Sequence, residues 1–118
     1  MNPQFGTYIR ERREALAAAD RRYSLRQVAV RLGVQPSYLS KVERGEVGPL
    51  AEETTRRLAE DLGEDPDVLL ALAGKVSADL REVILKRPRL FADLLRQLKD
   101  APDHAVLRVV REVRDGRW

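Results

Sequence analysis

The sequence predicts an all-α fold, on three observations. Apolar residues recur at helical spacing along the chain and nowhere alternate with polar ones as in a half-buried strand. The apolar stretches open on residues that start helices: Ser24, Pro36, Glu52, Pro66 and Ser77. Several close on glycines that can take a left-handed conformation: Gly33, Gly45, Gly63 and Gly74.

Taken in order, Phe5, Tyr8, Ile9, Arg12, Arg13 and Leu16 fall at the spacing of a first helix over about residues 5–19, and the alanines at 15 and 17–19 favour its extension. Asp20-Arg-Arg-Tyr23 is a polar connector. Ser24 caps a second helix over about 25–32, whose Leu25, Val28, Ala29 and Leu32 face inward. Pro36 stands at the first position of a third helix, where no N–H is needed, and Leu39 and Val42 face the core. Glu46-Val-Gly-Pro49 is a loop. Glu52 and Glu53 suit the positive end of a fourth helix, over about 52–62, with Leu58, Ala59 and Leu62 inward. Asp65-Pro66 starts a fifth helix through Leu69, Leu70, Leu72 and Ala73. Ser77 then caps a helix of Leu80, Val83, Ile84 and Leu85. Pro88 and Pro102 divide the rest into two more apolar faces, Leu90, Phe91, Leu94, Leu95 and Leu98, then Val106, Leu107, Val109, Val110 and Val113.

At 118 residues the chain fits a small domain with an accessory segment, and the boundary is read near Gly74–Lys75, giving residues 1–74 and 75–118. No apolar run approaches the roughly 20 residues of a membrane helix, and the N-terminus lacks a signal pattern. Cysteine is absent, which removes disulfides and Cys-based zinc sites. A cytoplasmic protein away from the membrane is expected. His104, the single histidine, reads as a residue at a helix start; the acidic run over 60–67 lacks the spacing of a calcium loop. No phosphate loop, paired-carboxylate motif or metal-ligand spacing appears. Neither catalysis nor a cofactor nor a metal is expected. The net charge is +3, but residues 1–50 carry nine Lys/Arg against five Asp/Glu and residues 51–118 thirteen against fourteen. The positive excess on the first half suits a polyanionic partner.

Residues 24–45 carry the sharpest signal. Two short helices, each ending in glycine, are joined by a tight turn, and Ala29 and Gly33 are small where they would cross. The second opens with polar residues. This is the layout of a helix-turn-helix, in which one helix braces another that enters the DNA major groove.

Residues 5–74 resemble the XRE family, the Cro and phage-repressor type of helix-turn-helix domain. The resemblance rests on Arg13, Ala29, Gly33-Val34, Ser37-Tyr38-Leu39-Ser40, Val42-Glu43-Arg44-Gly45, Pro49, Leu58-Ala59 and Leu62-Gly63, and on the five-helix order. It implies a five-helix DNA-binding domain, followed here by a short C-terminal helical segment, with double-stranded DNA as partner. The recognition helix is then about Pro36–Arg44. Pro36, Ser37, Tyr38, Ser40 and Lys41 belong to its DNA-binding surface: Ser37 toward base edges, Tyr38 on a thymine methyl or a phosphate, Lys41 toward guanine. Arg26 and Arg44 stand where family members touch the backbone. Gln35, at the helix entry, contacts DNA or serves as a plain N-cap. Arg13 and Glu43 correspond to an ion pair between the first and third helices.

The chain departs from the family pattern in four places. The connector from Arg13 to Ser24 is longer than usual, and its Arg21 and Arg22 either meet phosphate or stay in solvent. Arg26 replaces a usual glutamine. Glu46 stands where a basic residue would grip phosphate. Thr54 and Thr55 occupy usually apolar positions and either bond back to carbonyls or mark a less tightly packed seam. The apolar C-terminal helices are too short to bury themselves. They are expected to form a homodimer that reads half-sites one DNA turn apart; the bland alternative is that they complete a monomeric core. The expected function is a dimeric repressor acting by operator occupancy. The alternatives are an antitoxin or anti-regulator whose main partner is a protein, and a repressor inactivated by an ImmA/IrrE-type metallopeptidase, because Leu69-Leu-Ala-Leu-Ala-Gly74 followed by leucine-rich helices resembles regulators of that kind.

Overall fold

The computed structural model describes residues 3–116 and residue 118, and their regular elements are all helical. The α-helices are α1 (Pro3–Ala17), α2 (Leu25–Leu32), α3 (Pro36–Glu43), α4 (Glu52–Leu62), α5 (Pro66–Leu72), α6 (Ala78–Lys86), α7 (Pro88–Leu98) and α8 (Asp103–Arg114). A 3-10 turn, Arg21–Tyr23, lies between α1 and α2. The chain divides into two units, residues 1–80 and 81–118, with α6 running across the division.

Local chemistry sets most helix ends. Ser24 Oγ accepts the Gln27 N–H at 3.3 Å and starts α2. Gly33 stops it with φ +72°, and the Val34 N–H then reaches the Ala29 carbonyl at 3.0 Å. A side chain in that conformation would be strained even though the surrounding space is open. Ser77 Oγ accepts the Leu80 N–H at 3.3 Å at the start of α6.

The end of α1 differs from the expectation of a helix to residue 19. The helix stops at Ala17 although two alanines follow. Asp20 accounts for the difference. Its carboxylate accepts the Arg22 N–H at 2.9 Å and starts the 3-10 turn, so the chain turns before the alanines can extend the helix. Connector residues Arg21–Tyr23 form this turn.

In the first unit, α1 packs on α3, α4 and α5, α2 packs on α3 and α4, and α4 packs on α5. The core combines Phe5 and Ile9, Val28, Ala29 and Leu32, Leu39 and Val42, Leu58, Ala59 and Leu62, and Leu69 and Ala73. Removing each large side chain of this set from water contributes about 1.5–3 kcal/mol. Leu50 joins the core from the loop after α3. Thr55 is fully buried on α4, and its hydroxyl donates to the Leu50 carbonyl at 3.2 Å. That bond satisfies the hydroxyl and ties the loop to the helix.

The second unit has a different character. α7 places Leu90, Phe91, Leu94, Leu95 and Leu98 along one side, and α8 does the same with Val106, Val109, Val110 and Val113. None of the residues described in α6, α7 or α8 is buried.

Candidate nucleic-acid interface

The geometry of α3 begins beneath it. Gly6 on α1 lies under the end of α3, so close that a β-carbon there would collide with the Val42 carbonyl oxygen and stand 2.7 Å from that of Glu43. Only glycine permits this approach of backbone to backbone. Beside it, the Arg13 guanidinium makes a two-pronged bond to Glu43, 2.7 Å to Oε2 and 2.9 Å to Oε1, and Nη1 donates to the Tyr23 carbonyl at 3.3 Å. Both side chains are buried. The hydrogen bonds that Arg13 donates to Glu43 raise the Arg13 pKa above its ordinary value, against the opposing effect of burial. The pair fixes the rotation of α3 relative to α1 and removes an acidic charge from the outer surface.

That rotation decides what α3 presents. Leu39, Val42 and Glu43 point inward. Ser37, Ser40, Lys41 and Arg44 follow at i, i+3, i+4 and i+7 and share the opposite side. Ser37, Lys41 and Arg44 are exposed, and Ser40 is half-buried. Tyr38 stands at the edge of this side, 39% exposed. Pro36 occupies the first turn. Gln35 is the N-cap residue by backbone position, yet its side chain makes no capping bond, so the exposed amide remains available. Arg26 is exposed in the first turn of α2.

The cations around the motif fall into two groups. Arg22 is tied to Asp20, with Nη2 2.7 Å from Oδ2, and the Arg22 side chain and backbone N–H hold the Asp20 carboxyl below its usual range. Arg31 pairs with Asp61 at 2.8 and 3.0 Å and lies over the Tyr23 ring, 5.4 Å from its centre. Arg44 donates from Nη1 to Ser40 Oγ at 2.6 Å and from Nε to Glu46. Arg21, Arg26 and Lys41, by contrast, have no ion-pair partner among the described residues. The structure thus places the eight candidate residues on the adjoining α2–α3 elements, but with Arg44 and Ser40 bonded to each other.

Sequence reasoning missed Gly6 and the Arg31–Asp61 bond. A glycine inside a helical pattern was a visible signal for the first. The second joins residues of different helices and left no local trace.

Among the described residues no helix is long and apolar enough to cross a membrane, and no group of His, Asp and Glu side chains is arranged to hold a metal ion. No curated protein and no solved structure matches the chain. A family model for the helix-turn-helix domain matches residues 4–72, which covers α1 through α5. That span includes the braced α3 and its polar outer side, the arrangement with which such domains read DNA. The chain therefore belongs to the helix-turn-helix domain family, as a DNA-binding regulator.

Proposed function

We propose that this regulator is of the XRE type and acts as a homodimeric repressor, occupying an operator and blocking polymerase, in the cytoplasm and without catalysis. The observation that carries the reading is the outer side of α3. Ser37, Ser40, Lys41 and Arg44 face away from the core while the only acidic residue of that helix, Glu43, is turned inward onto Arg13. A helix so arranged offers hydroxyls, an ammonium and a guanidinium to a polyanion. In this reading Ser37, Tyr38, Lys41 and the free amide of Gln35 address base edges, with Pro36 setting the helix entry. Arg26 and Arg44 address phosphates, with Ser40 beside them. Dimerisation through the apolar sides of α7 and α8 would pair two such helices about 34 Å apart.

Titration with DNA from upstream of its own gene, across salt concentrations, tests this. Lys41→Ala should relax preference at one base pair by about 1–3 kcal/mol while leaving binding to unrelated DNA nearly unchanged. Equal discrimination by wild type and variant would displace the recognition surface from α3. Solution mass tests the dimer. A second reading is favoured by the uncovered apolar sides of α6–α8: an antitoxin or anti-regulator, or a target of an ImmA/IrrE-type peptidase, would use them for a different protein. Tight 1:1 binding to a neighbouring gene product with no DNA affinity would select that reading.

A further inference from the structure

A cleft beside α3 gathers positive charge from outside the helix-turn-helix motif. It has a volume of about 230 Å³ and is walled by Arg10 and Arg13 of α1, Leu25 of α2, Ser40 and Glu43 of α3, and Arg44 at the end of that helix. Arg13 and Glu43 neutralise one another within the wall. What remains for a ligand is the guanidinium of Arg10, that of Arg44 and the hydroxyl of Ser40. An adjoining depression is again lined by Arg10 and Arg44, with Glu11 and Glu14 marking the acidic edge of the patch. The two guanidiniums therefore share one area of surface.

Each of them already holds a carboxylate. Arg10 Nε lies 2.6 Å from Glu14, and Arg44 donates to Glu46. All four side chains are about half exposed to solvent. Ion pairs of this kind are weak and exchange readily for a better acceptor. A phosphodiester is such an acceptor, since its oxygens can take N–H groups from two guanidiniums together with a hydroxyl proton.

We infer that this cleft seats one phosphate of the DNA backbone between Arg10, Ser40 and Arg44, and that Glu46 weakens the seat by competing for Arg44. The inference rests on the DNA-binding reading and adds to it Arg10, on a helix outside the motif. Glu46 is a positioning residue in this arrangement: it governs where the Arg44 guanidinium points when no phosphate is present.

Salt-dependent DNA binding by wild type, Arg10→Ala, Arg44→Ala, the double variant and Glu46→Gln tests it. Arg10→Ala should weaken binding to all sequences about two- to fivefold and reduce the salt slope by about one. Because both arginines serve one phosphate, the double variant should lose less than the sum of the two single losses. Glu46→Gln should tighten binding, and Arg44→Ala should cost more in that background than in wild type. At matched ionic strength inorganic phosphate should weaken DNA binding by wild type more than by the double variant, because the free anion competes for the same seat; phosphate binding in the cleft that leaves DNA affinity untouched would reassign the cleft to the free anion and overturn the DNA assignment. Additive losses, or an unchanged slope in Arg10→Ala, overturn the seat while leaving DNA binding intact. Unchanged or weaker binding by Glu46→Gln overturns the competition. A wild-type protein with no DNA affinity at low salt overturns both this inference and the reading beneath it.

Discussion

The first unit buries its apolar residues and the second leaves them in view, although both are built from helices of the same amphipathic kind. Leu58 on α4 and Leu69 on α5 are at most 1% exposed, whereas Leu94 and Leu90 on α7 are 38% and 67% exposed. The difference is not one of apolar content or helix length. It lies in how many elements converge. In the first unit α1 and α4 each meet several other helices, so an apolar side finds a cover from within the chain. In the second unit no described helical residue reaches burial. An apolar stripe states that a helix needs a cover, and says nothing about where the cover comes from.

The comparison can be broken most severely through the polar pair in the first unit. Arg13→Ala would leave the Glu43 carboxylate buried without its partner and should cost about 3–5 kcal/mol of stability, read by chemical denaturation. A loss below about 1 kcal/mol would mean that the pair is more solvated than its geometry indicates. Next comes a matched truncation. Leu58→Ala should cost about 2–5 kcal/mol, while Leu95→Ala should change the denaturation of the monomer by no more than about 0.5 kcal/mol. Comparable losses in dilute monomer would show that the two units are packed alike. If Leu95→Ala matters only at concentrations where the protein self-associates, the contrast becomes sharper, because the missing cover is then another copy. Gly6→Ala follows, below the Arg13 and Leu58 variants, at about 1–3 kcal/mol. The strain of forcing α1 away from the α3 carbonyls is offset in part by the better helix propensity of alanine. A variant more stable than wild type would show that α1 can shift freely.

Much of the first unit was legible in the sequence because its signals are local. Ser24, Gly33 and Gly63 delimit α2 and α4 within a turn of themselves, and the bounds expected for these helices, 25–32 and 52–62, are those found. The end of α1 was not legible from propensity. Alanine favours a helix at Ala18 and Ala19, yet the Asp20 carboxylate offers the chain a competing turn, and the competition depends on side-chain geometry. Leu50 gave no warning either, since a single leucine in a loop has no periodicity to reveal its burial. At the candidate site, spacing marked Leu39 and Val42 as inner, while the inward Glu43 and the outer Ser37, Lys41 and Arg44 were expected from the family resemblance. What spacing could not show was that Arg44 is bonded to Ser40 and Glu46 while Lys41 has no such tie. The Glu46 bond depends on the path of the loop after α3, which no pattern encodes, whereas the Ser40 bond spans i, i+4 along the helix.

The seat of α3 on Gly6 has one further consequence. Carbonyl oxygens there rest against a bare backbone, so at that point no side chain separates the two helices. The helix is held as a finished surface before any ligand arrives. In the proposed DNA-binding reading, the entropy lost on binding would fall on side chains in solvent, Lys41 and Arg26 above all, and little of it on ordering the helix itself.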